Sequence, residues 1–426
     1  MEIAILFGVF AVLLILGVPV AFSIAAATLA TILYLDLPPI VVAQQVASGF
    51  GKVSLLAIPL FIFAGELMLR GGISERLISL ASSFVGHMRG GLGQVTVVAS
   101  TLFGGVSGSA LADVSAIGST MIPQMEKRGF SKDYAVDVTV SAALVALLLP
   151  PSHNLILFSA IAGGGVSIAD LFAAGIIPAL LLALGVMGAA YFLARVRKYP
   201  TEPFPGFGAI GVRLIAAIPG LLLIFVIFGG IRLGIFTAVE SAAVAVLYAL
   251  LVTMLVYRGM GWGAFAKAVS HAARSSGAVL FVIGAAGAFG WLMAYMQLPS
   301  MAVEFMQSIT HDKTLILLLM LAALLVLGTF MDLAPMIIIC TPIFLPVARA
   351  YGVEPLHFGV VLVLAAGIGL ITPPVGSVLF VGSAIGRITI TEALKSIWPF
   401  YLAAISVLLL VTFVPQLSLT LPALWR

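Results

Sequence analysis

The residues best suited to chemistry in this chain are small and polar, and they interrupt long apolar segments. Two sets stand out, Ser107, Gly108, Ser109, Ser152 and Asn154 in the first half, and Thr329, Asp332, Thr372, Gly376 and Ser377 in the second. Hydroxyl, amide and carbonyl oxygens without a thiolate or imidazole cluster favour an alkali cation such as sodium over a transition metal. The exposed amides at the start of a helix bind anions. The two sets therefore predict binding of a small cation and an anionic solute.

Five residues are candidates for direct contact with that solute: Ser109, Asp113, Pro150, His153 and Pro373. Structural alternatives accompany them. Asp113 could cap amides in the first turn of a half-helix, as could Asp332. His153 could cap or pack, Ser107 and Ser109 could allow close helix packing, and the prolines could be inert kinks. The matching arrangement in both halves of the chain favours the functional interpretation for Asp332, the two serines and the prolines. For Asp113 the helix cap is favoured, and for His153 both interpretations stay open.

The amino-acid composition indicates that these residues lie within a membrane protein. Of the 426 residues, 62% are hydrophobic and only 8% are charged, whereas about 25% is usual for soluble domains. A globular fold of this length cannot bury so much apolar surface. Soluble enzymes, disulfide scaffolds (there is one cysteine, Cys340) and disordered tails are excluded, and no basic stretch suggests nucleic acid binding. The chain is predicted to be an all-α, multi-pass membrane protein in a lipid bilayer.

Apolar segments of spanning length can be identified along most of the chain. They are 3–34, 53–69, 134–163, 166–194, 214–231, 235–257, 275–297, 357–386 and 396–418. The first is expected to be a retained span because it lacks a cleavage motif. Segments 92–125 and 314–347 are interrupted at 104–113 and 328–335, which predicts re-entrant hairpins, since irregular backbone at membrane depth must be buried or line a cavity. Pro-Pro pairs break 134–163 and 357–386.

These four interruptions are related by an internal repeat. Adding 223 to Gly105, Pro123, Gly129, Pro150, Pro151 and Gly163 reaches another glycine or proline each time. Chance predicts roughly 0.8 such matches over 105–163, against six found. Placing the basic loop 195–213 in the cytoplasm puts 15 of the 20 lysines and arginines on that side. The two hairpins then enter from opposite faces, so the repeats are predicted to be inverted, as in secondary transporters.

Four motifs resemble the large membrane subunit of TRAP transporters, the tripartite ATP-independent periplasmic transporters of the ion-transporter superfamily. They are GGVSGSALADVSAIGSTMIP, PPSHNLILFS, TFMDLAPMIIICTPIFLP and ITPPVGSVLFV. The resemblance implies sodium-driven uptake of an organic acid by an elevator mechanism in the bacterial inner membrane. It also implies a small four-helix membrane subunit, expected here as a separate chain, and a periplasmic substrate-binding protein. The sodium ligands would be oxygens around Ser107, Ser109, Ser152, Asp332, Thr372 and Ser377.

On this basis the chain divides into four segments. They are 1–91 (scaffold spans and an interfacial arm helix), 92–194 (transport repeat 1: hairpin 92–125, broken helix 134–163), 195–297 (scaffold spans) and 298–426 (transport repeat 2: hairpin 314–347, broken helix 357–386).

Three alternatives remain open. The nearest is a carrier of the same superfamily that moves dicarboxylates or tricarboxylates without partner proteins. An intramembrane hydrolase would need a Ser/His or paired-Asp constellation, but Ser152 and His153 are adjacent and point apart on a helix. A channel would need a continuous pore, which two dead-end hairpins do not provide. No P-loop motif is present, so ATP hydrolysis by this chain is not expected and no enzyme activity is predicted.

Overall fold

The structure, a computed structural model, describes residues 1–163 and 165–425. That part of the chain is helical and contains no strand, in keeping with a hydrocarbon environment where a helix satisfies its own backbone polar groups. Seven of its helices are long and apolar enough to span a membrane, or up to nine if each of two bent helix pairs is counted as one span. The prediction of an all-α, multi-pass membrane protein is confirmed.

Five helices form the N-terminal segment: α1 (Glu2–Ile15), α2 (Val20–Tyr34), α3 (Ile40–Phe50), α4 (Ala57–Arg70) and α5 (Ile73–Val85). The single span predicted over 3–34 is wrong. Gly17 adopts a positive φ of 79° and Pro19 precedes α2, so the chain turns between two short helices that pack against each other. A short 3₁₀ turn, Val53–Leu56, leads directly into α4.

The next six helices contain the first predicted hairpin and broken helix. They are α6 (Gly91–Ser107), α7 (Ala110–Asp113), α8 (Ser119–Lys127), α9 (Lys132–Ala143), α10 (His153–Ile161) and α11 (Ile168–Val196). A π-helical turn, Val114–Gly118, joins α7 to α8, so these form one continuous arm. The interruption predicted over 104–113 is narrower than expected, because only Gly108 and Ser109 lie outside helices.

Three long helices follow: α12 (Phe207–Arg232), α13 (Ala238–Leu251) and α14 (Trp262–Tyr295). Helix α14 begins at Trp262, before the apolar span predicted over 275–297, and it continues through most of the basic segment 258–274. Lys267, His271 and Arg274 made that part of the sequence look like a loop. In the structure their side chains are exposed on a regular helix.

The last eight helices contain the second hairpin and broken helix. They are α15 (Leu298–Ile309), α16 (Lys313–Phe330), α17 (Leu333–Ala350), α18 (Pro355–Gly369), α19 (Ser377–Gly386), α20 (Ile390–Ser396), α21 (Trp398–Phe413) and α22 (Gln416–Leu424). The chain bends by 102° between α19 and α20 and by 60° between α21 and α22. Span 396–418 is therefore a bent helix pair.

Helix bounds in the two halves follow the sequence offset of 223. The arm from Ala110 to Lys127 maps to 333–350, which are the bounds of α17. Helix α9 begins at Lys132 and α18 at Pro355, which the same offset relates. The same spacing of breaks and helices therefore occurs in both halves.

Burial shows which elements lie at the centre. Every residue of α18 from Leu356 to Gly369 is buried, and so is every residue of α9 from Tyr134 to Ala143. Helices α3 and α15 bury none. The broken helices therefore form the core, surrounded by longer helices with apolar outer faces.

Candidate functional site

The tip of the first hairpin is a two-residue break between α6 and α7. Ser109 caps α7, its Oγ accepting from the amide of Ala112 at 3.3 Å, and the Ser107 Oγ accepts from the Ser109 amide at 3.4 Å. Gly108 has a φ of 59°, and a Cβ placed there would lie 2.2 Å from the carbonyl oxygen of Pro151. The tip and the broken helix therefore approach closely enough to require glycine.

The broken helix opposite this tip is interrupted at Pro150-Pro151, which forms a cis peptide bond. Ser152 caps α10 by accepting from the Leu155 amide at 3.4 Å, and it donates to the Leu147 carbonyl at 2.5 Å. The Asn154 Nδ2 donates to the Gly108 carbonyl at 3.3 Å. One side chain thus links the start of α10 to the hairpin tip.

The second hairpin tip is held in a related way. Asp332 caps α17, its Oδ1 accepting from the Leu333 amide at 3.0 Å and from the Ser377 Oγ at 3.1 Å. The Val375 amide donates to the Thr329 carbonyl at 3.0 Å. The offset of 223 relates Ser109 to Asp332 and Asn154 to Ser377. In each half, the earlier of the two residues caps the helix that follows the hairpin tip (Ser109 for α7, Asp332 for α17), and the later one, on the broken helix, donates a hydrogen bond to the tip.

Parts of both tips line one cavity of about 550 Å³. The predicted site residues on its wall are Ser107, Ser109, His153, Asn154 and Asp332. The opposite wall comes from α4 and α14. The structure therefore brings five of the sequence candidates together although they come from both halves of the chain.

The remaining candidates lie behind this wall or beside it. Gly108, Ser152 and Ser377 support the residues that line the cavity, through the contacts above. The Thr372 Oγ1 donates to Ile368 at 2.8 Å and its carbonyl accepts from Gly376 at 3.1 Å, while the Thr329 Oγ1 donates to Val326 at 2.7 Å. Pro150 and Pro373 belong to the two breaks and do not line the cavity.

Asp113 lies at the end of α7 and is also absent from the cavity wall. Its side chain is fully buried, and within residues 1–163 and 165–425 neither carboxylate oxygen has a hydrogen-bond partner that meets strict geometry. Asp113 therefore neither caps a helix nor lines the cavity. Its environment is the interior between the hairpin and the broken helix.

Three cavity residues were missed as functional candidates: Glu66, Arg70 and His271. Glu66 and Arg70 lie one turn apart on α4 and form an ion pair, with 3.2 Å between Oε2 and Nε. His271 Nδ1 lies 2.8 Å from the Glu66 Oε1. Nothing in the local sequence indicates that these helices face the hairpin tips, because that contact joins segments far apart along the chain.

The donor groups around the tips suit a small hard cation. At the second tip, Gly328 and Gly369 pack so closely that a Cβ on Gly369 would lie 2.4 Å from the Gly328 carbonyl oxygen. Asp332, Thr372 and Ser377 supply further oxygens nearby. In the described part of the chain no group of three or more His, Cys, Asp and Glu side chains is placed to hold a metal ion. Oxygen ligands of this kind fit sodium better than a transition metal.

A polar network outside the spanning segments fixes the entry to the first broken helix. Arg197 Nη1 donates to the Asp133 Oδ2 at 2.8 Å and to the Ser131 Oγ at 2.6 Å. Burial alone would raise the pKa of Asp133, but hydrogen bonds from Ser131, Arg197 and Ser396 hold that pKa below its ordinary value. The network ties the end of α11 to the start of α9.

Comparison with known proteins agrees with this architecture. Residues 7–417 match the family described as tripartite ATP-independent periplasmic transporter, DctM component. The 2,3-diketo-L-gulonate TRAP transporter large permease protein YiaN of Escherichia coli is 33% identical, with 96% of each chain covered. The sialic acid TRAP transporter large permease protein SiaM of Vibrio cholerae is 36% identical, covering 97% of this chain and 96% of its own.

A solved structure shows the same fold at low sequence identity. The crystal structure of the Alcanivorax borkumensis YdaH transporter superposes with a TM-score of 0.63 at 15% identity, covering 88% of this chain and 87% of that one. The family match and the relatives are transport permeases and not enzymes, as predicted. The chain belongs to the DctM family, the large permease subunits of tripartite ATP-independent periplasmic transporters.

Proposed function

We propose that this chain takes up an organic acid anion across the bacterial inner membrane, coupled to sodium, as the large subunit of a three-component TRAP transporter. The observation that supports this most directly is the shared cavity, where the tips of both hairpins and the start of a broken helix meet. The relatives named above are described as transporters of 2,3-diketo-L-gulonate and of sialic acid. Both solutes are carboxylic acids, which fits a cavity whose walls include exposed helix starts and a guanidinium.

The residues at the tips have separable roles in this proposal. The oxygens of Ser107, Ser109, Asp332, Thr372 and Ser377 would hold sodium, whose gradient supplies the free energy of uptake. The amides near Ser109 and at the start of α10 would bind the carboxylate. Asn154 and Ser377 fix the tips against the broken helices through the bonds described above, so that the solute site keeps its shape.

In this proposal the chain is an elevator carrier, and the arrangement described above would be its inward-facing state. The cavity extends from the tips to Arg70 and His271, which lie in the basic segments 70–89 and 258–274 that the charge distribution assigns to the cytoplasm. Segments 92–194 and 298–426 would move together relative to the scaffold segments 1–91 and 195–297. Because the repeats are proposed to be inverted, exchanging their conformations would produce the outward-facing state. A small membrane subunit and a periplasmic binding protein complete the system.

The decisive test is uptake of radiolabelled acids by cells expressing the chain with its small subunit and its binding protein. The panel is sialic acid, 2,3-diketo-L-gulonate and succinate. We expect uptake of at least one acid that requires all three components and stops when the sodium gradient is collapsed. Uptake that persists without the binding protein would favour the stand-alone carrier, and uptake that follows a proton gradient instead would contradict sodium coupling.

A further inference from the structure

Three titratable side chains meet on the cavity wall that faces the hairpin tips. Glu66 and Arg70 lie one turn apart on α4, and His271 reaches Glu66 from α14. The exposed fraction is 8% for the Glu66 side chain, 30% for Arg70 and 58% for His271. The buried carboxylate thus lies at the back of the group, while the guanidinium and imidazole lie nearer the open space.

The contact with Glu66 orients the Arg70 side chain and leaves most of its donors available. Arg70 uses Nε for this bond, and in the described chain its two terminal nitrogens have no protein hydrogen-bond partner. A guanidinium held through Nε presents its remaining donors as a fork that matches a carboxylate. Orienting the fork in advance lowers the entropy lost on binding.

Arg70 differs in charge from the other ionisable side chains on the cavity wall. The ionisable side chains there are Glu66, Arg70, His153, His271 and Asp332. Arg70 is the one permanent cation among those described residues. Asp332 accepts hydrogen bonds from its own helix and from Ser377, and Glu66 is shared between Arg70 and His271. An anion leaving the tips therefore meets a single fixed positive charge.

We propose that Arg70 is a substrate-contacting residue, whose terminal nitrogens bind the carboxylate of the organic acid on the cytoplasmic side of the hairpin tips. This inference rests on the proposed function and adds a second anion subsite, on the wall that does not carry the hairpins. An anion leaving the amides of the tips would otherwise cross an apolar wall formed by Ile62, Leu69 and Val279 without a counter-charge. Arg70 lowers that barrier and favours acids over neutral solutes of similar size.

The test compares four variants in inside-out vesicles from cells that express the complete system. They are Arg70→Gln, Arg70→Lys, Glu66→Gln and the control Arg76→Gln. Arg76 lies on the next helix, α5, where it donates to the Gly72 carbonyl and stacks on Tyr257, and it does not line the cavity. The measured quantity is the KM for exchange of the acids from the panel above at the cytoplasmic face, with binding-protein-dependent KM at the other face measured in intact cells.

We expect Arg70→Gln to raise the cytoplasmic KM about tenfold, the effect of losing one charge-assisted contact in a partly exposed site. Arg70→Lys should fall between this variant and wild type, because an ammonium cannot form the fork. Glu66→Gln should raise the KM less than Arg70→Gln does, because it weakens the contact that orients Arg70 but keeps the guanidinium. Arg76→Gln should match wild type.

Two results would overturn the inference. If Arg70→Gln and Glu66→Gln alter stability alike without changing the cytoplasmic KM, the pair only stabilises α4. If Arg70→Gln changes KM equally at both faces, the residue does not form a subsite on the inner side. A wild-type system that transports no acid of the panel at either face refutes the proposed function itself, and the subsite with it; this outcome is recognised before any variant is compared.

Discussion

The Lys52 Nζ lies 2.5 Å from the carbonyl oxygen of Ala160, joining the segment before α4 to the end of α10. Lys52 is one of the few basic residues outside the segments assigned to the cytoplasm. A cation at the end of a helix is stabilised by the free carbonyls and the helix dipole. In the proposed division of the chain, this contact joins a scaffold segment to a transport segment.

Tethering these two positions should arrest transport. In a Cys340→Ser background, we expect a bifunctional thiol-reactive crosslinker about as long as a lysine side chain to join Lys52→Cys to Ala160→Cys. Uptake should then be lost. The matched control is Lys313→Cys with Gly352→Cys. That pair is also a lysine–carbonyl contact, at 3.0 Å, but both residues flank the second hairpin within the one segment 298–426. If the crosslinked control pair keeps its uptake and the crosslinked test pair loses it, the two segments must move relative to each other during transport. Uptake that survives the crosslink between positions 52 and 160 would contradict the elevator mechanism.

The sodium site should depend on Asp332 beyond its role as a helix cap. In the purified chain, NaCl should raise the Tm more than KCl or choline chloride at equal ionic strength, because a ligand of the folded state stabilises it. Asp332→Asn should abolish this difference, while Ser377→Ala and Ser107→Ala should reduce it.

Asp312→Asn is the control for that experiment. Asp312 caps α16, accepting from the Leu315 amide at 2.9 Å, and lies outside the cavity. Asparagine caps a helix about as well as aspartate, so both variants should keep the cap and lose only the charge–dipole contribution of about 0.3–1 kcal/mol. A sodium response that survives in Asp332→Asn, or disappears equally in Asp312→Asn, is incompatible with the proposed ligand.

Replacing Gly108 should damage the first tip specifically. Gly108→Ala combines a positive φ with a Cβ only 2.2 Å from the Pro151 carbonyl oxygen, so the tip and the broken helix must separate. Gly129→Ala is the control. Gly129 has a φ of 82° but no atom lies within 4 Å of an added Cβ, so this variant measures only the backbone cost of a positive φ, about 1 kcal/mol. Thermal unfolding should show a larger loss for Gly108→Ala, accompanied by loss of uptake. Equal losses in both variants would mean that the close approach does not matter.

Acid stability should depend on Asp133. Its lowered pKa means that its contribution to folding is fully present above the ordinary aspartate pKa, about 3.9, and is lost as the pH falls through the lower folded value. Asp133→Asn should therefore lower the Tm at pH 7 by the equivalent of about 1 kcal/mol, and this difference should shrink towards pH 3.

Glu202→Gln is a suitable comparison for the acid experiment because Glu202 forms a more exposed ion pair with Arg128. It should have little effect at either pH. An Asp133→Asn variant whose difference from wild type is the same at pH 7 and pH 3 would show that the carboxylate charge does not contribute.

The sequence predicted those parts of the structure that depend on local chemistry. Proline, glycine and serine mark the breaks, so the tips near Ser109 and Asp332 and the interruption at Pro150 could be located without coordinates. The break at the first tip is narrower than predicted because 104–107 and 110–113 remain helical. Small and polar residues lower helix propensity, but packing against the broken helix outweighs that preference.

Long-range contacts could not be predicted in the same way. His271 resembled a loop residue because charges surround it, and only the packing of α14 against α4 brings it to Glu66. Asp113 had the right position for a helix cap, yet its carboxylate is buried away from the cavity. The turn at 16–19 was hidden because apolar residues on both sides made 3–34 look continuous.

The shared helix bounds also limit where the chain can change in length. The arms 110–127 and 333–350 are equally long, and each runs from a capping residue at the tip to a loop that contains a glycine of positive φ, Gly129 or Gly352. One residue inserted within an arm would rotate its far end by about 100° and shift it by about 1.5 Å. That rotation would turn the cap away from its partner on the broken helix. Insertions should therefore be tolerated beside Gly129 and Gly352, where a turn can absorb them, and rejected between those turns and the tips.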